Sequence, residues 1–294
     1  MSLAADGLSA AHTAAGKLQR ACLDLLREHQ RDGALPTNGR FVFYELEQRG
    51  HIPKHYDGKV RTPAQDVSKA LMHLRQAGLI PWEWIVDESR DVDEWQSAAS
   101  VYQYAVDAVE NARIDCWAEL APLVICEARS TKGVLNRIAS EYLCPITATG
   151  GQCGGFLVTE VAPLLRGNDR NVLYIGDFEL RGPADQIEAN TRRYLEEHTG
   201  RIFDDETWVR IALTEQQVND DERLLALKIT KKDNRYKPAR EYEAVECEAV
   251  GQVELERILR RQLDRMLPEP LADVLDREER QRAEVRRLLE EDAT

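Results

Sequence analysis

The sequence contains no apolar run that approaches the roughly 18 residues needed to span a bilayer. Its first residues, MSLAADGLSAAHTAAGK, also lack the basic-then-apolar order of a secretory signal. With 43% hydrophobic and 31% charged residues, the 294-residue chain has the composition of an ordinary globular protein. We therefore expect a soluble, cytoplasmic protein with no membrane partner.

The few cysteines are scattered, and no two of them form a Cys-x-x-Cys pair. They are Cys22, Cys116, Cys126, Cys144, Cys153 and Cys247. A zinc module needs closely spaced ligand pairs, and a disulfide framework is typical of small secreted domains. The cysteine pattern therefore argues against both and favours a reducing compartment.

Positive charge is also scarce, because 39 Lys and Arg residues stand against 52 Asp and Glu residues and the net charge is −13. Such a field repels phosphates, so binding to nucleic acid requires local basic patches or bound cations. Residues 51–61 and 228–240 supply two candidate patches, and a solvated loop is the alternative interpretation of each. The candidate DNA-binding residues are Lys54, Lys59, Arg61, Lys231, Lys232 and Arg235.

Apolar residues at helical spacing mark the first third of the chain. They predict a helix that ends near Gln30, a short helix over 40–49 that Gly50 stops, and a third helix that ends at Gly78. The segment 79–86 is predicted to be extended. Helices followed by a strand pair predict a small winged-helix-like domain over residues 1–90.

The pattern changes after a predicted helical linker at 91–114. Short apolar segments typical of buried strands then alternate with helical segments, which predicts a mainly parallel sheet flanked by helices. The predicted strands are 122–126, 145–149, 171–175 and 208–213. The chain beyond Val253 is predicted to be helical, with a break at Pro268 and Pro270. We therefore expect an α/β domain over 115–294 that ends in a helical tail.

Three acidic residues follow two of the predicted strands. Glu127 comes directly after the first strand, and Asp177 and Glu179 follow the third. Because the carboxyl ends of parallel strands meet in one crevice, we expect these carboxylates to converge there. Clustered carboxylates repel one another unless a cation joins them, and hard oxygen ligands select Mg²⁺ or Mn²⁺. The alternative is that Asp177 or Glu179 caps the next helix while Glu127 is a surface acid.

A Glu after the first strand and an acid-x-acid pair after the third, in this order of strands and helices, resembles the Toprim domain of topoisomerases, primases and several nucleases. Lys132 and Gly133, which follow Glu127, are compatible with that pattern. Family sequences more often carry Asp where this chain has Glu179. The resemblance implies that Glu127, Asp177 and Glu179 bind Mg²⁺ (or Mn²⁺) for chemistry on nucleic acid.

An upstream motif, Arg40-Phe-Val-Phe43-Tyr44, resembles the Arg-x-x-aromatic-Tyr motif of the topoisomerase VI A subunit and its meiotic double-strand-break relatives. The two resemblances together cover the chain from Arg40 to about Leu213. They imply that Tyr44 attacks a DNA phosphodiester, that Arg40 binds phosphate, and that the Toprim acids of a neighbouring protomer bind the metal. They also imply a homodimer and a separate ATPase subunit, because the chain has no recognisable ATPase motif.

Three functions stay open at the level of the sequence. The leading hypothesis is metal-dependent DNA strand cleavage by tyrosine transesterification. The alternatives are a hydrolytic Toprim nuclease and a non-catalytic DNA-binding scaffold of a larger complex. The residues alone also allow Phe41, Phe43 and Tyr44 to be an aromatic core cluster. A covalent protein–DNA product would separate the first function from the other two.

Overall fold

A computed structural model of the protein describes residues 7–57, 61–86, 98–150, 154–180, 183–233 and 238–292. Two of the candidate DNA-binding residues, Lys59 and Arg235, lie outside these ranges. So do residues 87–97, which contain the predicted boundary between the first domain and the linker. The DNA-binding roles of Lys59 and Arg235 and the exact position of the boundary therefore stay predictions.

Three helices build the first part of the chain, as the apolar spacing predicts. They are α1 (Ala14–Arg31), α2 (Gly39–Gln48) and α3 (Pro63–Gln76). Each helix begins at a side chain that accepts hydrogen bonds from the first-turn amides: Thr13 for α1, Asn38 for α2 and Thr62 for α3. Thr62 and Gln65 complete a reciprocal capping box. These caps fix where the helices start.

The three helices enclose an apolar core of their own. Its fully buried members include Cys22, Leu26, Val42, Leu46, Val67 and Leu74. Burying a side chain of this kind contributes roughly 1.5–3 kcal/mol. Phe43 and Tyr44 belong to the same core, with exposures of 6% and 7%. Tyr44 is therefore a packed residue as well as the candidate nucleophile.

The extended conformation expected for residues 79–86 is wrong for most of that segment. It contains a 3₁₀ turn at Trp82–Trp84, followed by a single parallel bridge between Ile85 and Thr37. Pro81 precedes the turn and has no N–H to give to a strand ladder, which opposes strand formation there. The winged-helix character of this part, which depends on a strand pair, stays a prediction.

The second part of the chain contains a four-stranded parallel sheet and a three-stranded antiparallel sheet. The strands are β1 (Leu123–Cys126), β2 (Ile146–Ala148), β3 (Val172–Ile175), β4 (Phe178–Leu180), β5 (Trp208–Ala212), β6 (Ile229–Asp233) and β7 (Arg240–Val245). The parallel sheet has the order β2-β1-β3-β5, and its strands match the four predicted from the sequence. The predicted α/β class with a parallel sheet is confirmed.

The antiparallel sheet, of order β4-β7-β6, was not expected from the sequence. Its strand β6 carries Lys231 and Lys232, within the segment 228–240 for which a solvated loop was the alternative interpretation. The loop interpretation is wrong for the described strand residues. Pairing with β7 satisfies the backbone of a sequence that is too polar to suggest a strand by itself.

Helices cover both faces of the parallel sheet. The helices of this part of the chain are α4 (Val101–Glu110), α5 (Arg129–Glu141), α6 (Gly154–Phe156), a π turn (Leu157–Val161), α7 (Ala162–Leu165), α8 (Pro183–Thr199), α9 (Glu215–Asp220), α10 (Glu222–Ala226), α11 (Gln252–Met266) and α12 (Leu271–Asp292). The break between α11 and α12 falls at Pro268 and Pro270, as predicted. Within the described residues, no helix is long and apolar enough to cross a membrane.

Alternate residues of the central strands point to opposite faces of the sheet and into separate cores. Val124 and Cys126 join the apolar residues of α5 and α11. Leu123 and Ile125 join those of α8 and the helical segment before Leu165. Burial on both faces explains why β1 and β3 are continuous apolar runs in the sequence.

The first helices contact the α/β part directly. Phe41 of α2 is fully buried in the core that contains Val124. Asn38 Nδ2 donates a hydrogen bond of 2.9 Å to the carbonyl oxygen of Ser130, and Gln252 Nε2 donates one of 2.6 Å to that of Ala34. These contacts bring α2, which carries the candidate nucleophile, against the start of α5, and the segment before α2 against α11.

Candidate functional site

The order of the parallel strands creates a crevice between β1 and β3. From β1 the chain crosses to β2 on one side, whereas from β3 it crosses to β5 on the other side. The loops that leave the two strands therefore diverge, and ligands of open α/β sheets bind at such a point, outside the carboxyl ends of the strands. Glu127 follows β1 and Asp177 follows β3, so both acids lie at this crevice.

Backbone geometry holds Glu127 beside Asp177. The Glu127 amide donates to the carbonyl oxygen of Ile175 at 2.8 Å, and the Asp177 amide donates to Glu127 Oε2 at 3.2 Å. Gly176 lies between them, and a Cβ atom at that position would be 2.8 Å from Glu127 Oε2 and 2.8 Å from Tyr174 Cε1. A glycine is therefore required where the two strand ends approach each other.

The electrostatic environment favours the neutral form of Glu127. Burial raises the pKa of Glu127 to about 7, and the negative charges of Asp177 and Glu179 act in the same direction. The Asp177 amide and Arg210 oppose the increase only in part. A carboxyl group in this state gains from a nearby cation, because a cation offsets both the desolvation and the repulsion.

The side chains of Asp177 and Glu179, which follow β3 in the sequence, have different surroundings. Asp177 Oδ1 accepts a 2.8 Å hydrogen bond from the Cys247 amide. Glu179 is 6% exposed on β4, where its Oε1 lies 3.4 Å from Lys231 Nζ. The carboxylate of Glu179 is thus engaged by an ammonium group of the antiparallel sheet, although its charge still acts on Glu127.

The donor set therefore fits a divalent cation at two of its three predicted ligands. Glu127 and Asp177 are adjacent acids with hard oxygen atoms, which suit Mg²⁺ or Mn²⁺. Among the residues that the structure describes, no group of three or more His, Cys, Asp and Glu side chains is arranged to hold a metal ion. The predicted set of three metal ligands stays a prediction.

Two cationic side chains lie close to the ring of Tyr44. The guanidinium carbon of Arg40 is 5.8 Å from the centroid of the Tyr44 ring, and Lys54 Nζ is 5.5 Å from it. Phe43 packs against the same ring, edge to face, at 5.1 Å. Both cations therefore lie within cation–π distance of a ring that is otherwise buried.

Three consecutive residues after β7 link the tyrosine to the strand-end acids. Glu248, with 0% exposure, accepts from Arg40 Nε at 2.7 Å and from Ser130 Oγ at 2.5 Å. Glu246 lies 3.5 Å from the ammonium group of Lys54. Between them, the Cys247 amide binds Asp177. In this chain, the cations beside Tyr44 and the acid after β3 share one short segment.

Sequence reasoning missed Glu246, Glu248 and Arg210. Arg210 on β5 donates to the carbonyl oxygens of Gly176 and Asp177, which fixes the turn that carries Asp177. The run Glu243-Ala-Val-Glu246-Cys-Glu248 contained a usable signal, because acidic residues follow a pair of apolar residues as they do at β3. No comparable sequence pattern identified Arg210 as a residue of the site.

The described candidate DNA-binding residues are all in ion pairs. Lys54 and Lys231 meet at Glu246, each 3.5 Å from one of its oxygens. Burial is the main cause that lowers the pKa of Lys54, and the neighbouring charge of Lys231 lowers it further. The remaining two pairs lie elsewhere and join Arg61 to Asp66 and Lys232 to Glu241. Of the predicted basic residues, Lys54 and Lys231 thus border the acidic site.

Comparison with known families, proteins and structures identifies no relative of this chain. No protein-family model matches the chain, and neither a curated protein nor a solved structure is significantly similar to it.

Proposed function

We propose that this protein cleaves DNA by attack of Tyr44 on a phosphodiester, assisted by a divalent cation bound to Glu127 and Asp177. The main support for this proposal is that residues 246–248 contact both the cations beside Tyr44 and the candidate metal ligand Asp177. Arg40 and Lys54 flank the Tyr44 ring, and the segment that binds both cations also binds Asp177. This linkage supports a nucleophile and a metal site that act on one phosphate.

The chain's own residues would divide the reaction into defined roles. The Tyr44 hydroxyl loses its proton and forms a bond to phosphorus, while the bond between phosphorus and one strand oxygen breaks. That leaving oxygen takes up a proton and becomes a free hydroxyl end of DNA. The phenol of a tyrosine has an ordinary pKa of about 10, so it is protonated at neutral pH. Arg40 and Lys54 would stabilise the phenolate that forms from it. Mg²⁺ or Mn²⁺ would supply stabilisation of the charge that develops on the phosphate oxygens.

A hydrolytic nuclease is the second candidate, and the burial of Tyr44 favours it. With 7% exposure, the side chain must become more accessible before a phosphodiester can reach its hydroxyl. Water activated at Glu127 and Asp177 needs no such change. The two functions differ in their product, because hydrolysis leaves no protein on the DNA.

The proposal includes partners that the family resemblance implies. These are a homodimer, in which Tyr44 of one protomer works with the acids of another, and a separate ATPase subunit. Contact between the Tyr44 surroundings and the acids of the same chain also allows an active site within one protomer. Sedimentation with and without DNA would distinguish a monomer from the proposed dimer.

The decisive experiment is a cleavage assay with a covalent trap. Supercoiled and linear DNA are incubated with the protein and Mg²⁺ or Mn²⁺, stopped with denaturant, and separated with and without protease digestion. Tyr44→Phe removes only the hydroxyl, so the fold should persist while the covalent species disappears. Tyr104→Phe is the matched control, because Tyr104 is 53% exposed on α4 and distant in sequence from the proposed site.

Each outcome selects one function. Loss of the covalent product in Tyr44→Phe, but not in Tyr104→Phe, supports transesterification. If Tyr44→Phe still cleaves while Glu127→Gln does not, hydrolysis is correct. If the parent protein binds DNA but cleaves none with either metal, alone or with an added ATPase partner, it is a scaffold and the proposal fails.

A further inference from the structure

A cavity lies in the first part of the chain, among α1, α3 and residues 51–56, which follow α2. Its volume is about 710 Å³, which is within the usual range for small-molecule sites. We call it the α1–α3 cavity. None of the residues that form the proposed cleavage site lines it.

The charge of the α1–α3 cavity is opposite to that of the protein. Lys17, Arg61 and Lys69 line it together with two histidines, whereas Asp66 is its one acidic lining residue. Asp66 is already engaged by Arg61 and accepts a 2.8 Å hydrogen bond from the Tyr56 hydroxyl. In the described part of the chain, no ion pair involves Lys17 or Lys69. Two ammonium groups therefore remain for an anion in a chain of net charge −13.

Helical spacing turns these cations and an apolar surface toward the same space. On α3, Lys69 and His73 are four residues apart and share one face with Ala70. On α1, Lys17 is next to Leu18 and one turn from Ala14. Buried Ile52 and Ala70 and half-buried Leu18 form an apolar floor of the cavity, and the exposed Lys17 and Lys69 line it as well.

We propose that the α1–α3 cavity binds a nucleoside 5′-phosphate. Lys17 and Lys69 would hold the phosphate, and the apolar floor with Leu18 and Ile52 would receive the flat base. A cavity of this volume accommodates one nucleotide but not a duplex. The nucleotide therefore comes either from solution or from the phosphorylated end of a DNA strand, and both present the same chemistry.

The site is independent of the proposed cleavage reaction. Glu127→Gln should abolish metal-dependent cleavage and leave nucleotide binding unchanged. A protein that binds nucleotide but cleaves no DNA would contradict the proposed function alone. A protein that cleaves DNA but binds no nucleotide would contradict only this inference.

Calorimetric titration of the full chain at low ionic strength tests the proposal. The probes are AMP, inorganic phosphate, and a short DNA strand with and without a 5′-phosphate. Replacing both Lys17 and Lys69 by Glu should weaken AMP binding about tenfold or more, because two charge-assisted contacts become repulsive. The charge-matched control replaces Arg193 and Arg287 by Glu; these exposed residues lie on α8 and α12, away from the cavity.

A second variant fills the cavity without changing its charge. Ala14→Trp adds an indole at an exposed cavity position at the start of α1, so it should weaken AMP binding while thermal unfolding stays close to that of the parent. Tighter binding of the 5′-phosphorylated strand than of AMP would assign the ligand to a DNA end, and the reverse order would assign it to free nucleotide.

Three results would overturn the inference. The first is no binding of AMP or of the phosphorylated strand by the parent protein. The second is an equal loss of affinity in the Lys17/Lys69 variant and in the Arg193/Arg287 control, which would indicate a general effect of charge. The third is inorganic phosphate that binds as tightly as AMP, since the apolar floor would then contribute nothing.

Discussion

Glu127→Gln should change how the stability of the protein depends on pH. Burial and the charge of Asp177 raise the pKa of Glu127 from 4.5 to about 7 in the folded protein. The folded state thus holds a proton that the unfolded state releases at lower pH. The resulting stability is fully present below about pH 4.5 and is lost as the pH rises through about 7.

The size of the effect follows from the two pKa values. Each unit between them corresponds to about 1.4 kcal/mol, so ionising Glu127 in the folded protein costs at most about 3 kcal/mol. Partial access of solvent reduces this to about 2 kcal/mol. A glutamine has nearly the same shape and no charge. At about pH 8, Glu127→Gln should therefore be more stable than the parent by about 2 kcal/mol, and at about pH 4 the two should be similar.

Urea unfolding at several pH values measures this difference. Glu197→Gln is the control, because Glu197 is 61% exposed on α8 and its ion pair with Arg193 is a surface contact. Millimolar Mg²⁺ should stabilise the parent at about pH 8 but not Glu127→Gln. Parallel pH profiles for the parent and Glu127→Gln would refute the assigned pKa. An equal response of both proteins to Mg²⁺ would refute Glu127 as a ligand.

Two further changes test the packing of the site. Gly176→Ala should destabilise the protein by about 1–3 kcal/mol in urea unfolding, because the new Cβ collides with Glu127 and Tyr174; Gly155→Ala, which meets nothing within 4 Å, should not. Arg40→Ala should destabilise by about 3 kcal/mol, because it leaves the carboxylate of Glu248 buried without its cation. Adding Glu248→Gln to Arg40→Ala should restore part of that loss in a double-mutant cycle, and strictly additive effects would contradict the ion pair.

The sequence was sufficient to predict the parallel sheet because the burial of its central strands is visible in their apolar composition. β1 and β3 are buried on both faces, so each is an uninterrupted apolar run between helical segments. The strands β4, β6 and β7 carry no such signal. β6 contains adjacent lysines, and its pairing with β7 depends on the fold rather than on local composition. Residues 79–86 were wrongly predicted because aromatic residues that favour strands also fit a 3₁₀ turn after Pro81.

Part of the candidate site was also predictable. Glu127 and Asp177 could be brought together from strand order alone, since carboxyl ends of parallel strands share one edge. The partner of Glu179 could not, because Lys231 reaches it only through the unpredicted antiparallel sheet. The ion pair of Glu248 could not be predicted either, because its partner Arg40 is more than 200 residues earlier in the chain. Long-range ion pairs leave little trace in local sequence.

The distribution of ion pairs explains why a cation would bind at Glu127 and Asp177 rather than elsewhere in the acidic junction. Glu179, Glu246 and Glu248 each have a Lys or Arg partner. In the described part of the chain, no ion pair involves Glu127 or Asp177, and the carboxylate of each accepts a hydrogen bond from a backbone amide. An amide carries only a partial charge, so it cannot neutralise a carboxylate as an ammonium group does. The uncompensated negative charge is therefore concentrated at the strand ends, in the crevice between β1 and β3. A divalent ion at that position would offset the desolvation and the repulsion that raise the pKa of Glu127, whereas at the other three acids it would first have to displace a side-chain cation.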